Sequence, residues 1–263
     1  MCGRTALTAS PEDLRDAFGL DETPEVAPHY NLPPSSPLEV VRVVRGASGR
    51  KLEELRWGLV PTWAKDPKIG HRLALARVET AATTAAFRDA FRWRRCLVAV
   101  DGFFEWRREA AGANVGVGVG VGVGAGAARG RKGKHKGPST PFFVRRSDRR
   151  PFALAGLWSR WVSPDGEVVE SCAIVTQAAR PPVDAIHDRM PLVLEPDTWD
   201  RWLDPAITEG DALSDTLALA SAPRDHQLVA YSVSARVNDP RHDDPACLEP
   251  AEPAAPAQGR LFL

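Results

Sequence analysis

The stretch CLVAVDGFFEW, residues 96–106, decides the fold. Cys96 to Val100 is an unbroken apolar run of strand length, Asp101-Gly102 is a break, and Phe103 to Trp106 starts a second short strand. Within that second strand Phe103 and Glu105 share a face. Similar runs recur between turn signals at Leu38 to Val44, Phe142 to Val144, Phe152 to Leu157, Cys172 to Val175 and Leu192 to Leu194. Their spacing predicts a mainly antiparallel sheet. Helical stretches are fewer. Ser10-Pro11-Glu12-Asp13 opens one through Phe18, with Ser10 as N-cap and Pro11 at the first helical position. Pro196 to Leu203 repeats the signal, and Thr80 to Phe91, Ala-rich with Phe87 and Phe91 four apart, predicts a third. Strands with interspersed helices define an α+β protein on a mixed or antiparallel sheet.

Composition narrows the function. The 263 residues carry 34 Lys and Arg against 34 Asp and Glu, so no whole-molecule field draws the chain to a polyanion, and nucleic-acid contact requires a local basic patch. No run approaches the roughly 18 apolar residues of a membrane span. The start, Met1-Cys2-Gly3-Arg4, has no apolar segment behind it, so a cytoplasmic protein without a secretory signal is expected. The four Cys form no C-x-x-C pair, and Cys96 and Cys172 fall inside apolar runs. Neither a disulfide framework nor a zinc site is expected. No His, Cys and carboxylate cluster has ligand spacing, which leaves a metal hydrolase as the weakest reading.

One segment stands apart from the core. Residues 112–137 hold an alternating Val-Gly tract and then RGRKGKHKG. Gly at every second position makes ordering costly, so the segment reads as a flexible insertion in a hairpin between strands ending near Arg107 and starting near Pro141. Its basic half reads as a solvated charge run. The expected organisation is one domain over 2–249, interrupted at 112–137, with a Pro- and Ala-rich tail over 250–263.

Three residues carry candidate chemistry. Cys2, exposed by removal of Met1, presents an α-amine of pKa about 7.7 to 8.0 and a thiol of about 8.5 on one residue. The amine can form a Schiff base with an aldehyde, and the thiol can close on the imine carbon to a thiazolidine. Glu105, among Phe103, Phe104 and Trp106, is expected to be desolvated and to work as an acid and base near neutral pH. His187, in Ile186-His187-Asp188-Arg189-Met190-Pro191, has the strongest setting of the six His, with Asp188 beside it. A fourth group mixes guanidinium groups and indoles: Arg4, Arg56, Trp57, Trp63, His71, Arg72 and Arg77. Arg reads phosphates and Trp stacks on unpaired bases, a pairing suited to single-stranded DNA, with Trp57 and Trp63 as the stacking candidates.

Together, MCGR at 1–4, HYNLPP at 29–34, RWGLVPTW at 56–63, LARVETA at 75–81, DGFFEW at 101–106, IHDRMPLVL at 186–194 and SVSARVND at 232–239 resemble the SOS response-associated peptidase (SRAP) family. The motifs stand in family order from Cys2 to about Glu249. The resemblance implies a covalent thiazolidine link between Cys2 and the ring-opened sugar of an abasic site in single-stranded DNA. It makes Glu105 a proton-transfer group and gives His187 a part in ring opening and reversal. It assigns Arg4, Arg77 and Arg189 to phosphates and Trp63 to an aromatic wedge. A strand-cleaving lyase activity and autocatalytic peptidase activity go with the family. The expected architecture is a single α+β domain on a mainly antiparallel or mixed, barrel-like sheet with a few flanking helices. It is expected to be monomeric and nucleoid-associated in the cytoplasm, to need no cofactor, and to take single-stranded DNA as its partner.

The chain departs from the family at Leu75, where the resemblance implies Asn beside the reacting centre. A leucine neither donates nor accepts a hydrogen bond, so slower crosslinking is expected, with Asn31 and His71 as candidates to stand in for the amide. Two rivals remain open. One is a non-catalytic single-stranded DNA binding module, favoured by Leu75. The other is an N-terminal-nucleophile glutaminase, which also begins Met-Cys-Gly but uses the amine as a base and needs an oxyanion hole.

Overall fold

The structure, a computed structural model, describes residues 3–43, 49–108, 139–222, 224 and 226–251. Cys2, the 112–137 segment, Val44 and all of the tail beyond Ala251 lie outside the described residues. In chain order the first elements are β1 (Thr5–Leu7), α1 (Pro11–Phe18), β2 (His29–Leu32), β3 (Pro37–Val43), β4 (Arg50–Trp57) and β5 (Leu75–Arg77). Next come α2 (Val78–Ala81), α3 (Arg88–Trp93), β6 (Arg95–Val100), β7 (Gly102–Arg108), β8 (Ser139–Arg146) and β9 (Phe152–Val162). The last are β10 (Val168–Ala178), β11 (Arg189–Pro191), β12 (Val193–Leu194), α4 (Pro196–Leu203), α5 (Gly210–Ser221) and β13 (Leu228–Ser232).

Five of these strands close on themselves. The order β10-β4-β3-β6-β9 returns to β10 through the long β9–β10 pairing, and every contact except parallel β4–β10 is antiparallel. The result is a single α+β domain on a mixed, barrel-like sheet with flanking helices. Strand alternation sets its two faces. Leu38, Val40, Leu55, Trp57, Cys96, Val98, Leu154, Cys172 and Ile174 pack together inside. Val41, Leu97, Ala99, Ala155, Leu157 and Val175 face outward, beneath helical residues. Both faces of β6 and β9 are therefore covered, which is why they read as continuous apolar runs.

The break at Asp101-Gly102 carries the chain from this barrel into a second sheet, ordered β13-β8-β7-β1-β2. The Thr8 backbone N–H and hydroxyl both donate to Asp101 Oδ2, at 2.5 and 2.7 Å, and so fix the corner. Gly102 passes so close to β8 that a Cβ there would sit 2.4 Å from the Phe143 ring. One face of this sheet presents Phe103, Val144 and Leu32 to the core of the barrel. The other face packs Ala6, Phe104 and Phe143 against Val233 and Val237. The second sheet thus lids the barrel, and residues that follow Phe103 on its face come to the edge of that lid.

The helices cover the outside of the barrel. Ser10 caps α1 by accepting the Asp13 N–H at 3.1 Å, and Phe18 stacks on Trp199 of α4 with centroids 5.1 Å apart. Burial of each such aromatic contributes about 1.5–3 kcal/mol. The helix expected over Thr80 to Phe91 is broken instead into α2 and α3. Thr83 and Thr84 interrupt it, with the Thr83 hydroxyl donating back to Thr80 C=O at 3.2 Å. This is the local competition that makes Thr a weak helix interior. Phe87 and Phe91 are nevertheless both buried, since the Phe91 N–H still donates to Phe87 C=O at 2.7 Å.

Candidate functional site

Glu105 stands on β7 at the edge of the lid, on the face of Phe103 and directly across β8 from Phe142. It is 1% exposed. Burial pushes its carboxyl up to about 7, and the charge of Asp188 adds to the rise. A carboxyl half-protonated near neutrality can both give and accept a proton. β1 runs antiparallel to β7, with Thr5 opposite Phe103 and Ala6 opposite Gly102. The Phe104 N–H donates to Arg4 C=O at 3.0 Å, so the same register sets Gly3 opposite Glu105. Cys2 lies outside the described residues.

His187 lies between the single turn Val183–Ala185 and β11, its backbone N–H donating to Val183 C=O at 2.9 Å. Its Nδ1 accepts the Arg189 N–H at 3.0 Å and is 2.8 Å from Asp188 Oδ1. The two contacts demand opposite protonation of one nitrogen. Burial lowers the imidazole pKa, with Arg108 adding to the fall and Asp188 opposing it. The neutral ring with Nδ1 accepting is therefore favoured, and this network assigns the proton to Nε2. Asp188 influences Glu105 and Arg108 influences His187, so the end of β7 and the approach to β11 face one another.

The cations differ in what they have left to offer. Arg189 holds Glu79 with two nitrogens, at 2.6 and 2.9 Å, and donates to Thr176 C=O at 2.7 Å. Its charge is already countered. Arg4 donates to Asn31 Oδ1 at 2.7 Å and to Val237 C=O at 2.9 Å, which keeps its charge but commits its donors. Arg77 ends β5 exposed to solvent and makes no ion pair among the described residues. Of the two stacking candidates, Trp63 is 53% exposed and anchored by its indole N–H to Ala85 C=O at 3.2 Å. Trp57 is not available for stacking. It is 0% exposed in the barrel core and donates to Ala74 C=O at 2.9 Å, because its position on β4 faces inward.

Leu75 begins β5, beside Ile174 of β10, and packs against the core of the barrel. Asn31 cannot substitute for an amide there. Its Nδ2 donates to the carbonyls of Val237, Asp239 and His242, while its Oδ1 accepts from Arg4. His71 engages the Ser35 hydroxyl through Nδ1 at 2.8 Å. Two residues that the sequence reading passes over also belong to this edge. Arg107 follows Glu105 by two on β7, and its guanidinium carbon lies 4.8 Å from the Phe142 ring centroid. The period of two along a strand is the signal that places Arg107 with Glu105. Among the described residues no cluster of three or more His, Cys, Asp or Glu is placed to hold a metal ion, and no helix is long and apolar enough to cross a membrane.

A closed barrel lidded by a second sheet thus carries a carboxyl raised into the neutral range, a histidine and several arginines around the edge of the lid. Residues 1–240 match the family model described as SOS response associated peptidase (SRAP), and the chain belongs to that family. It is 31% identical over 252 residues to the abasic site processing protein YoqW of Bacillus subtilis, a match covering 95% of this chain and 99% of that protein. The abasic site processing protein YedK of Escherichia coli is 29% identical, over 95% of this chain and all of its own 100%. A crystal structure of a protein from Bacteroides thetaiotaomicron superposes with a TM-score of 0.73 at 20% identity, covering 95% of this chain and 100% of that one, and shares the fold.

Proposed function

We propose that this chain processes abasic sites in single-stranded DNA by forming a covalent thiazolidine between Cys2, freed by removal of Met1, and the ring-opened sugar. The observation that supports the reading is the register of β1 on β7, which runs the start of the described chain, at Gly3, opposite the buried Glu105. The names of the relatives, abasic site processing proteins over nearly their whole length, support it.

The Cys2 α-amine adds to the C1′ aldehyde to give a carbinolamine, whose hydroxyl leaves as water when protonated. That loss leaves an iminium whose nitrogen keeps its proton; the thiol adds to the iminium carbon and gives its own proton to the Glu105 carboxylate, so one water is lost overall. Protonated Glu105 supplies the proton for the departing hydroxyl and recovers it in ring closure. His187, neutral with Nε2–H toward the site, assists opening of the sugar ring and reversal of the link. Arg77 and Arg4 hold the strand electrostatically, and Trp63 stacks on a base beside the lesion. β-Elimination from the Schiff base, with strand cleavage, is the competing route before the thiol closes.

The test mixes purified protein with a single-stranded oligonucleotide bearing one abasic site and follows intact mass and denaturing-gel mobility, alongside Cys2→Ala. The expected product is a denaturation-resistant adduct one water lighter than the sum of its parts and absent with Cys2→Ala. Salt-sensitive binding with no adduct, in a sample whose Met1 is removed, overturns the covalent reading in favour of a DNA-binding module.

A further inference from the structure

We infer that Arg107, seated over the ring of Phe142, is a phosphate contact for the bound strand beside Glu105. The inference rests on the DNA reading of the site and extends it to a residue pair outside the motifs that carry that reading.

Three observations converge. Phe103, Glu105 and Arg107 alternate on one face of β7, so Arg107 emerges about 7 Å beyond the acidic residue on the same side. Phe142 is the residue directly across β8 from Glu105, and the Arg107 guanidinium lies over its ring at 4.8 Å. Arg107 is exposed and has no carboxylate partner among the described residues. The stack matters because a free arginine gives up rotamer entropy when it grips an anion. Here the aromatic ring, attracted to the cation, restricts the side chain without consuming its N–H donors, which an anion can still accept from.

The other arginines sharpen the contrast. Arg189 is countered by Glu79, and the donors of Arg4 are committed to Asn31 and Val237. Glu105 itself does not cancel Arg107 while its carboxyl is protonated, as it is over much of the range below about 7. The chain has no net charge to hold DNA, so individual uncountered arginines at the site must supply the field. Arg77 approaches from the barrel side and Arg107 from the lid, which gives the strand a contact on each sheet.

The experiment measures equilibrium binding of an intact single-stranded oligonucleotide, without an abasic site, to full-length wild type, Arg107→Gln, Arg107→Lys and Phe142→Leu across a salt series. Loss of one phosphate contact on a single strand makes the plot of log K against log salt shallower by about 0.7, equivalent to about fivefold weaker binding at 0.1 M salt. Arg107→Gln is expected to show both changes. Arg107→Lys is expected to keep the wild-type slope, and Phe142→Leu to weaken binding while keeping the slope, since the charge remains. On an abasic oligonucleotide, Arg107→Gln is expected to raise the half-saturating DNA concentration and leave the adduct rate at saturation unchanged. An unchanged slope in Arg107→Gln, or the same loss in Arg107→Lys, overturns the inference. Wild-type binding with the expected slope changes but without an adduct sinks only the covalent chemistry and leaves Arg107 in place. Absence of salt-dependent binding in the wild type removes both.

Discussion

Arg189 and Glu79 are joined through both terminal guanidinium nitrogens, at 2.6 and 2.9 Å, tying β11 to α2. The same guanidinium braces the Thr176 carbonyl of β10, and the pairing holds the Glu79 carboxyl below its ordinary range. If DNA uses Arg189 at all, a phosphate must compete with Glu79 for it. Glu79→Gln removes the competitor without removing the hydrogen-bonding shape. The expected result is tighter single-stranded DNA binding at low salt and a salt slope steeper by about 0.7. An affinity and slope equal to wild type identify Arg189 as a brace between β10, β11 and α2 and not a DNA contact.

Trp57 and Trp63 separate fold from function. Trp57→Phe removes one of the two donors to the Ala74 carbonyl, which keeps the Ile174 N–H at 3.0 Å, and leaves a void inside the barrel, so a loss of about 2–4 kcal/mol in unfolding free energy is expected. The folded fraction binds DNA as before. Trp63→Ala, at a half-exposed ring, is expected to leave the melting temperature nearly unchanged and to weaken single-stranded DNA binding by about 1–3 kcal/mol. Parallel melting and binding titrations decide it, and a Trp63→Ala protein that binds like wild type rules out the stacking role.

Much of this architecture is legible in the sequence, and the exceptions have physical causes. β6 and β9 are covered on both faces, so their apolar runs are continuous and readable. β4 carries RKLEELRW, in which only Leu55 and Trp57 are buried, and its charges mask the strand signal. The same partial exposure hides β13, and it turns an inward Trp57 into an apparent surface indole. Glu105 and His187 are recognisable from their immediate neighbours, because an acid among aromatics and a histidine before an apolar strand are local patterns. The commitments of Arg189 to Glu79, 110 residues away, and of Arg4 to Val237, 233 residues away, are set by the closure of the two sheets and leave no local mark.

Glu39 makes stability depend on pH. It is 1% exposed on β3, its Oε2 has no hydrogen-bond partner among the described residues, and it stands opposite Glu54. Burial raises its carboxyl from 4.5 to about 7. A folded-state pKa above the unfolded one means that its protonated form is tolerated and its charged form is not. The contribution is therefore intact below about pH 4.5 and lost as pH rises through about 7, a change on the order of 1–3 kcal/mol. Glu39→Gln is expected to gain more stability at pH 8 than at pH 5 in denaturant titrations. Glu105 titrates in the same window, so the variant keeps a residual dependence. Equal gains at both pH values contradict the assignment.

Leu75 offers the most direct test of the Asn that the sequence resemblance implies at its position. It opens β5 beside β10, packs against the core of the barrel, and leads two residues later to the exposed Arg77. Neither candidate stand-in is available, because Asn31 is fully hydrogen-bonded and His71 is engaged by Ser35. Leu75→Asn puts an amide at the start of β5 at the cost of half-buried apolar surface. A melting temperature lower than wild type is expected, together with adduct formation about ten- to a hundredfold faster, corresponding to about 1–3 kcal/mol of transition-state stabilisation. Leu75→Ala is the control, since it frees more space than Asn would without adding a donor or acceptor and should remain slow. If the folded Leu75→Asn protein reacts no faster than wild type, the leucine is no handicap. If Leu75→Ala accelerates equally, what the site lacked was room, not a hydrogen bond.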